Sequence, residues 1–310
     1  MPLPEEAPAP DNTPRKQEPF FYGGQAVIEG VMMRGRSHYA VAVRLPRTQE
    51  IRIDRGELRS RLYTSRIWKL PLLRGLALLA EQMHLGMKSL MWSAGVNAGD
   101  QDVEIGRREI GISIAVALAF SLLLFIGLPL LGAGFAVRRS GSFWFVVVEG
   151  LIRVVLILGY LGLIGKLKDV RRVFQYHGAE HKTINAFEAG WPLEVPFVRK
   201  ASTLHPRCGT GFLLVVVVIA VLLFSLVALF HPNWFWLIAS RLIGVPIIAG
   251  VSYECIRLMA MHRDNPLVRV LLLPVLYTQK FTTREPEDPM LEVSIAAFSA
   301  AREGEGVRAA

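Results

Sequence analysis

Two long runs without a charged residue constrain this chain more than any other feature. Residues 110–137 and 212–230 contain no Asp, Glu, Lys or Arg. Each is long enough to cross a hydrocarbon core, which requires about 20 apolar residues. Two further apolar runs, 143–164 and 234–256, carry only two charged residues each. The sequence therefore predicts a mainly α-helical integral membrane protein with four transmembrane helices.

The basic residues between the spans predict their orientation. The connection after the first span contains Arg138 and Arg139, and the connection after the third contains no Lys or Arg. The connection between spans two and three is rich in such residues: Lys166, Lys168, Arg171, Arg172, Lys182, Arg199, Lys200 and Arg207. Because basic residues stay on the cytoplasmic side, we expect this loop and both termini to be cytoplasmic.

Composition agrees with a membrane protein. The chain of 310 residues is 52% hydrophobic and has a net charge of +9, so its basic edges should attract anionic lipid. The basic residues are scattered along the membrane flanks without a recognition motif, which argues against nucleic acid as a partner. With only two cysteines, one in the loop and one in the fourth span, we expect no structural disulfide.

The remaining segments divide the chain further. The start is rich in proline and acidic residues, and residues 39–45 and 50–54 alternate like two strands joined by a turn. Residues 70–94 are apolar, but they contain charges at seven-residue spacing and two glycines, which fits an interfacial or re-entrant helix. We therefore divide the chain as follows: 1–19, disordered tail; 20–65, cytoplasmic glycine-rich loop and small β hairpin; 66–98, interfacial or re-entrant helix; 110–164, transmembrane helices one and two; 165–211, cytoplasmic His/Cys loop; 212–262, transmembrane helices three and four; 263–310, interfacial helix and cytoplasmic C-terminal segment.

A group of histidines and a cysteine predicts a metal site in the cytoplasmic loop. His177, Glu180 and His181 follow the H-x-x-E-H spacing, which places all three on one side of a helix. In the inverted zinc peptidases, two such histidines bind Zn²⁺ while the carboxylate moves a water proton. Zinc needs further ligands, and His205 and Cys208 have suitable side chains.

The number of ligands decides what such a site can do. A structural site is closed, with four protein ligands, here His177, His181, His205 and Cys208. A catalytic site needs an open position, so the two helix histidines would be joined by either His205 or Cys208, but not by both. In the second case Glu180 is the candidate general base. The alternative without metal is a surface helix whose histidines hydrogen-bond the loop.

Glu29 is a second candidate catalytic residue. It lies in the segment 23–35, which contains four glycines. Glycine permits close approach of another group, so this segment is either a tight turn packed on the membrane domain or a loop that faces a ligand. In the second case Glu29 closes over the substrate or takes a ligand position.

Four segments in order carry a resemblance to a known family. They are GGQAVIEGVMMRG at 23–35, YHGAEHKTI at 176–184, HPRCGT at 205–210 and TTREP at 282–286. The chain resembles, over residues 22–297, the YqhQ family of uncharacterised bacterial membrane proteins, which are described as predicted metal-dependent enzymes. The resemblance implies a multi-pass protein of the bacterial cytoplasmic membrane with a metal-dependent activity.

Two functions agree with these features. The first, which we prefer, is a zinc-dependent hydrolase at the cytoplasmic face of the membrane, acting on a lipid headgroup or a protein segment. The second is a non-catalytic factor that assists insertion or assembly of membrane proteins, with a structural His/Cys site. Arg241 has no local partner in the fourth span, which favours a protein-binding role.

Overall fold

The computed structural model describes residues 22–58, 67–101, 106–137, 142–206, 208–230, 233–262 and 265–305. The predicted tail at 1–19 and Arg207 lie outside these ranges. The strands are β1 (Gly23–Val27), β2 (Gly30–Arg34), β3 (His38–Arg44) and β4 (Ile51–Glu57). The helices are α1 (Leu73–Asp100), α2 (Arg107–Leu122), α3 (Leu128–Ala136), α4 (Phe143–Ile164), α5 (Lys168–Glu188), α6 (Val195–Val198), α7 (Gly209–Ala228), α8 (Trp234–Met261), α9 (Pro266–Thr278) and α10 (Asp288–Gly304).

The strands form one antiparallel sheet in the order β1-β2-β3-β4. The pair β3–β4 is the predicted hairpin, with Tyr39 opposite Gly56. The glycine-rich segment, expected to be a loop, instead forms a second hairpin, β1–β2, with Ile28 and Glu29 at its turn. Strands covered on both faces lack the alternation of apolar and polar residues that marks a half-buried strand, so the pattern of this segment did not indicate strands.

Helices cover both faces of the sheet. On one face, Val31 and Met33 pack with Tyr176 of α5 and Phe298 of α10 in a buried core. On the other face, a second core joins Val27, Met32, Tyr39, Val41 and Val43 to Leu85 of α1. The N-terminal sheet, the loop between the second and third apolar helices, and the C-terminal helix therefore form one packed unit.

Helix α1 links this unit to the apolar helices. It runs unbroken for 28 residues and ends two residues beyond the segment 66–98 in which the helix was expected. It contacts both α8 and the first three strands. Gly86 marks its closest approach to the sheet, because a Cβ atom there would lie 2.1 Å from Oε1 of Gln25 in β1. Near its start, Arg74 forms an ion pair with Glu254 of α8.

Four helical segments among the described residues are long and apolar enough to cross a membrane. They are Arg108–Ala136, Phe143–Ile164, Gly209–Ala228 and Trp234–Met259, at the positions predicted from sequence. The first joins α2 to α3 through a π-helical segment, Leu123–Gly127. Side chains from all four segments pack in one buried cluster that includes Leu130, Phe145, Phe224 and Ile248.

A buried ion network connects these apolar helices. Glu149 of α4 is 1% exposed and accepts hydrogen bonds from Arg153, one turn along the same helix at 2.7 Å, and from Arg241 of α8. Arg153 also donates to the carbonyl oxygen of Phe125 in the π-helical segment at 2.9 Å. Arg241 thus has its acidic partner outside its own span, 92 residues away in sequence, and the inference that it is unpaired is wrong.

Replacing Glu149 by Gln should destabilise the apolar helices, because two buried arginines then face a neutral side chain. We expect the free energy of unfolding in detergent to fall by about 3 kcal/mol, the usual cost of breaking a buried ion pair. The control is Glu109→Gln at an exposed position on α2, where the change should stay below about 1 kcal/mol. An equal effect of both variants, measured by thermal unfolding, would contradict a stabilising role for the network.

Candidate functional site

The candidate site is built on α5, whose central part is buried. His177 and His181 lie one turn apart with ring centroids at 4.4 Å, as their spacing predicts. The helix is held in place from the other side by Thr183, whose hydroxyl lies 2.8 Å from that of Ser294 in α10. The expected alternative of a surface helix is therefore not what the structure contains.

Cys208 completes a group of three ligand atoms. His177, His181 and Cys208 each offer one atom, and these atoms lie within 4.8 Å of one another. The cysteine caps the N-terminus of α7, where its Sγ atom accepts a hydrogen bond from the amide of Thr210 at 3.4 Å. A cysteine at this position places its sulfur at the exposed amides of the first helical turn, beside the two imidazoles.

Backbone carbonyls fix the orientation of both imidazoles. Nδ1 of His177 lies 2.9 Å from the carbonyl oxygen of Thr282, and Nδ1 of His181 lies 2.6 Å from that of Thr203. A carbonyl only accepts, so each Nδ1 carries a proton, and in the neutral form of each ring the lone pair is then on Nε2. The histidines do hydrogen-bond the loop, but in a way that leaves Nε2 available to a metal. Nε2 of His177 lies 3.3 Å from the sulfur of Cys208.

Glu180 lies beside this group in a buried position. Its carboxyl group packs against Gly24 of β1, whose amide hydrogen-bonds it, and its Oε2 atom has no hydrogen-bond partner among the described residues. Burial raises the pKa of Glu180 to about 7, against the smaller opposing effects of the His177 charge and the Gly24 amide. A carboxyl group of this kind is suited to accepting and returning a proton near neutral pH.

His205 is not brought into the group of three. Its ring centroid lies 5.6 Å from that of His181, and its Nε2 atom lies 3.9 Å from a carboxylate oxygen of Glu188. Its backbone is held by Gln279, which accepts from the His205 amide at 2.9 Å and donates to its carbonyl at 2.7 Å. Of the four predicted ligands, the structure therefore assembles three.

Glu29 lies in a different place from the histidine group. It occupies the β1–β2 turn with a positive φ of 52° and pairs with Arg172, whose Nε donates to it at 2.6 Å. The hydroxyl of Tyr176 also donates to this carboxylate, at 3.4 Å. With these partners, Glu29 positions the N-terminal half of α5 against the sheet and does not belong to the group of potential metal ligands.

Sequence analysis missed the residues that orient the ligands. Thr203 and Thr282 act through their backbone carbonyls, which any residue type supplies, so their side chains give no signal. Lys182, 4% exposed, fixes the loop before His205 by donating to the carbonyls of Arg199 and Ala201 at 2.7 and 2.9 Å. The available signal for Thr282 was its place in the TTREP segment that carries the family resemblance.

Adding a methyl group at Gly24 should disturb the site through Glu180. A Cβ atom there would lie 2.7 Å from the carbonyl oxygen of Met32 and 2.8 Å from Cγ of Glu180, so the strand and α5 must separate. We expect Gly24→Ala to lower the free energy of unfolding by about 1–3 kcal/mol, as other overpacking changes do. Gly23→Ala is the matched control, since a Cβ atom there meets nothing within 4 Å. Equal thermal stability of the two variants would contradict the close packing.

Comparisons with known proteins identify the family of this chain. The chain is 33% identical to "Uncharacterized protein YqhQ" of Bacillus subtilis (strain 168) over an alignment of 309 positions, which covers 91% of this chain and 92% of the relative. No solved structure matches the chain. The resemblance to YqhQ proteins predicted from four segments is thereby confirmed. Residues 70–304 match the family described as "Protein of unknown function (DUF1385)", and the chain belongs to that family.

Proposed function

We propose that the protein is a zinc-dependent hydrolase that acts at the cytoplasmic face of the bacterial membrane. The observation that carries this proposal is the orientation of the two histidines. Both Nδ1 atoms are bonded to backbone carbonyls, and the ligand atoms of His177, His181 and Cys208 lie within 4.8 Å of one another. Backbone partners of this kind orient histidines at metal sites and increase their basicity.

The donor atoms fit zinc. Two imidazole nitrogens and one thiolate sulfur are ligands that Zn²⁺ accepts, and soft sulfur argues against magnesium or calcium. Three protein ligands leave one position of a tetrahedral ion open, which is typical of catalytic rather than structural sites. The position of His205, with its Nε2 atom facing Glu188, supports three ligands rather than four.

The residues around the group supply the rest of the chemistry. Zinc bound here would polarise a carbonyl or phosphoryl oxygen of the substrate. Glu180 would accept a proton from the attacking water at its Oε2 atom, which has no partner among the described residues. Gly24 holds the other part of the carboxyl group through its amide, so Glu180 stays oriented while the proton moves.

The packed unit supports the predicted membrane topology. The sheet near the N-terminus, α5 and α10 share one buried core, so they lie on the same side of the four apolar helices. Two crossings separate the sheet from α5, and four separate it from α10. Because both numbers are even, all three elements lie on one side of the membrane. The excess of Lys and Arg in the loop 165–211 supports the cytoplasm as this side.

A non-catalytic assembly factor is the second candidate. The observation in its favour is the burial of Glu180, which is 5% exposed and lies under the sheet. The argument from an unpaired Arg241 no longer supports this candidate, since Arg241 pairs with Glu149. The two functions differ in whether Glu180 is needed for a reaction.

Zinc content tests the three-ligand site. Protein purified in detergent should hold near-stoichiometric zinc, measured by mass spectrometry, and should lose it in Cys208→Ala because one of three ligands is removed. Cys255→Ala is the matched control at the other cysteine, in α8. We expect His205→Ala to retain zinc. Loss of zinc in His205→Ala but not in Cys255→Ala would indicate a closed four-ligand site and favour the structural role.

Glu180→Gln tests catalysis separately from metal binding. The amide keeps the size of the side chain but accepts no proton, so hydrolysis should fall by about 10²–10⁴-fold while zinc content is unchanged. Products are measured by mass spectrometry after incubation with bacterial polar lipids and, separately, with membrane-bound peptides. A variant that keeps the wild-type rate on the substrate that the protein cleaves would exclude Glu180 as general base.

A further inference from the structure

A narrow apolar cleft begins directly beside the candidate metal group. It lies between α4, α7 and the end of α9, is open on one side, and has a volume of about 320 Å³ when the open space at its mouth is included. Its walls are formed by aliphatic side chains of the two apolar helices, including Val154, Leu158, Leu161, Leu213 and Val217. The hydroxyl groups of Thr210 and Thr278 are the polar groups among its lining residues.

Thr210 joins the cleft to the metal group. Its hydroxyl lies 3.5 Å from Sγ of Cys208 and accepts a hydrogen bond from the hydroxyl of Thr282 at 3.1 Å. Thr282 is also the residue whose carbonyl orients His177. A molecule in the cleft that reaches Thr210 therefore has one end separated from Cys208 and Thr282 by the Thr210 side chain alone.

The cleft runs from this point along the candidate membrane spans. Thr210 and Val217 lie at its two ends on α7, and seven residues of helix correspond to about 10 Å. Val154 and Leu161 cover the same length on the facing helix, α4. An occupant must therefore be apolar over about 10 Å and polar at the end near Cys208.

The dimensions of the cleft decide between a lipid chain and a protein helix. An α-helix with side chains is at least about 10 Å across, so a 10 Å length of one occupies roughly 800 Å³. The cleft offers less than half of that volume. A single file of methylene groups has no such width and can lie between α4 and α7.

We propose that the cleft holds one acyl chain of a membrane lipid, with the polar end of that lipid at His177 and Cys208. Lipid tails are as apolar as the walls of the cleft, so contacts with the walls replace contacts with neighbouring lipids and hold the chain in one orientation. This inference rests on the proposed hydrolase for the reaction and makes its substrate a lipid rather than a protein segment. The binding of the chain itself does not depend on zinc or on hydrolysis.

Photolabelling in lipid nanodiscs tests this binding directly. The probe is phosphatidylglycerol with a diazirine in the middle of one acyl chain, and the labelled residues are located by mass spectrometry after irradiation. We expect adducts concentrated on the cleft-lining residues of 154–161 and 213–217. Val217→Trp should reduce these adducts about tenfold, because a close-packed interior leaves no room for both an indole and a chain.

Matched variants separate the cleft from the outer surface of the same helices. Val218 is 52% exposed and does not line the cleft, so the Val218→Trp variant should show the same adducts on the cleft residues as the wild type. Leu158→Trp fills the cleft from the opposite wall, with Val155→Trp, at a position 69% exposed, as its control. Adducts spread evenly over the outward faces of the wild-type spans would overturn the proposal, whether or not the tryptophan variants fold.

Zinc content and product analysis keep this test distinct from the proposed function. Val217→Trp should retain zinc, and it should slow hydrolysis of long-chain lipids at least tenfold while sparing a short-chain analogue of the same headgroup. Labelled cleft residues without zinc or hydrolysis would support the chain site and contradict the enzyme. Zinc-dependent hydrolysis of peptides without labelled cleft residues would support the enzyme and contradict the chain site.

Discussion

Burial of polar side chains on α5 is the constraint on which the rest of the structure depends. Glu180, His181, Lys182 and Thr183 are each at most 5% exposed. A polar group taken out of water costs several kcal/mol unless it finds a hydrogen-bond partner. Those partners come from distant segments, namely β1, the loop at 199–203 and α10. The need to form hydrogen bonds to the buried polar groups of α5 therefore brings the N-terminal sheet, the central loop and the C-terminal helix together.

The same hydrogen bonds determine the chemistry of the proposed site. The carbonyls that satisfy His177 and His181 also set their tautomers, so the Nε2 atoms are available on the side of Cys208. Glu180 takes part in the packing with Gly24, yet its Oε2 atom has no partner among the described residues. The proposed role in proton transfer gives this acceptor a function.

The candidate site lies where the packed unit meets the apolar helices. Its histidines belong to α5, whereas Cys208 caps α7, the third of the apolar segments. The apolar cleft continues from this junction between α4 and α7. Farther along the same helices, Glu149 and its two arginines tie α4 to α8 and to the π-helical segment. A metal at the junction would therefore link the two parts of the protein and lie near the end of the cleft at Thr210.

Local patterns were sufficient to predict part of the fold and of the site. The four apolar segments follow from composition, the hairpin β3–β4 from its alternation, and the pairing of His177 with His181 from the helical repeat. The strands β1 and β2 were not predicted, because helices cover both of their faces and remove the alternation. The orienting carbonyls of Thr203 and Thr282 could not be predicted, because a backbone oxygen has no residue-specific signal.

The sequence alone determined that this chain has four segments able to cross a membrane and a metal-binding pattern between the second and third. Both properties depend on residues close together in the chain, where helix geometry is the same in every fold. Only the tertiary structure decided that Cys208, and not His205, joins the histidine pair, and that Arg241 pairs with Glu149. Those choices depend on contacts between residues 31 to 92 positions apart, and no local pattern encodes them.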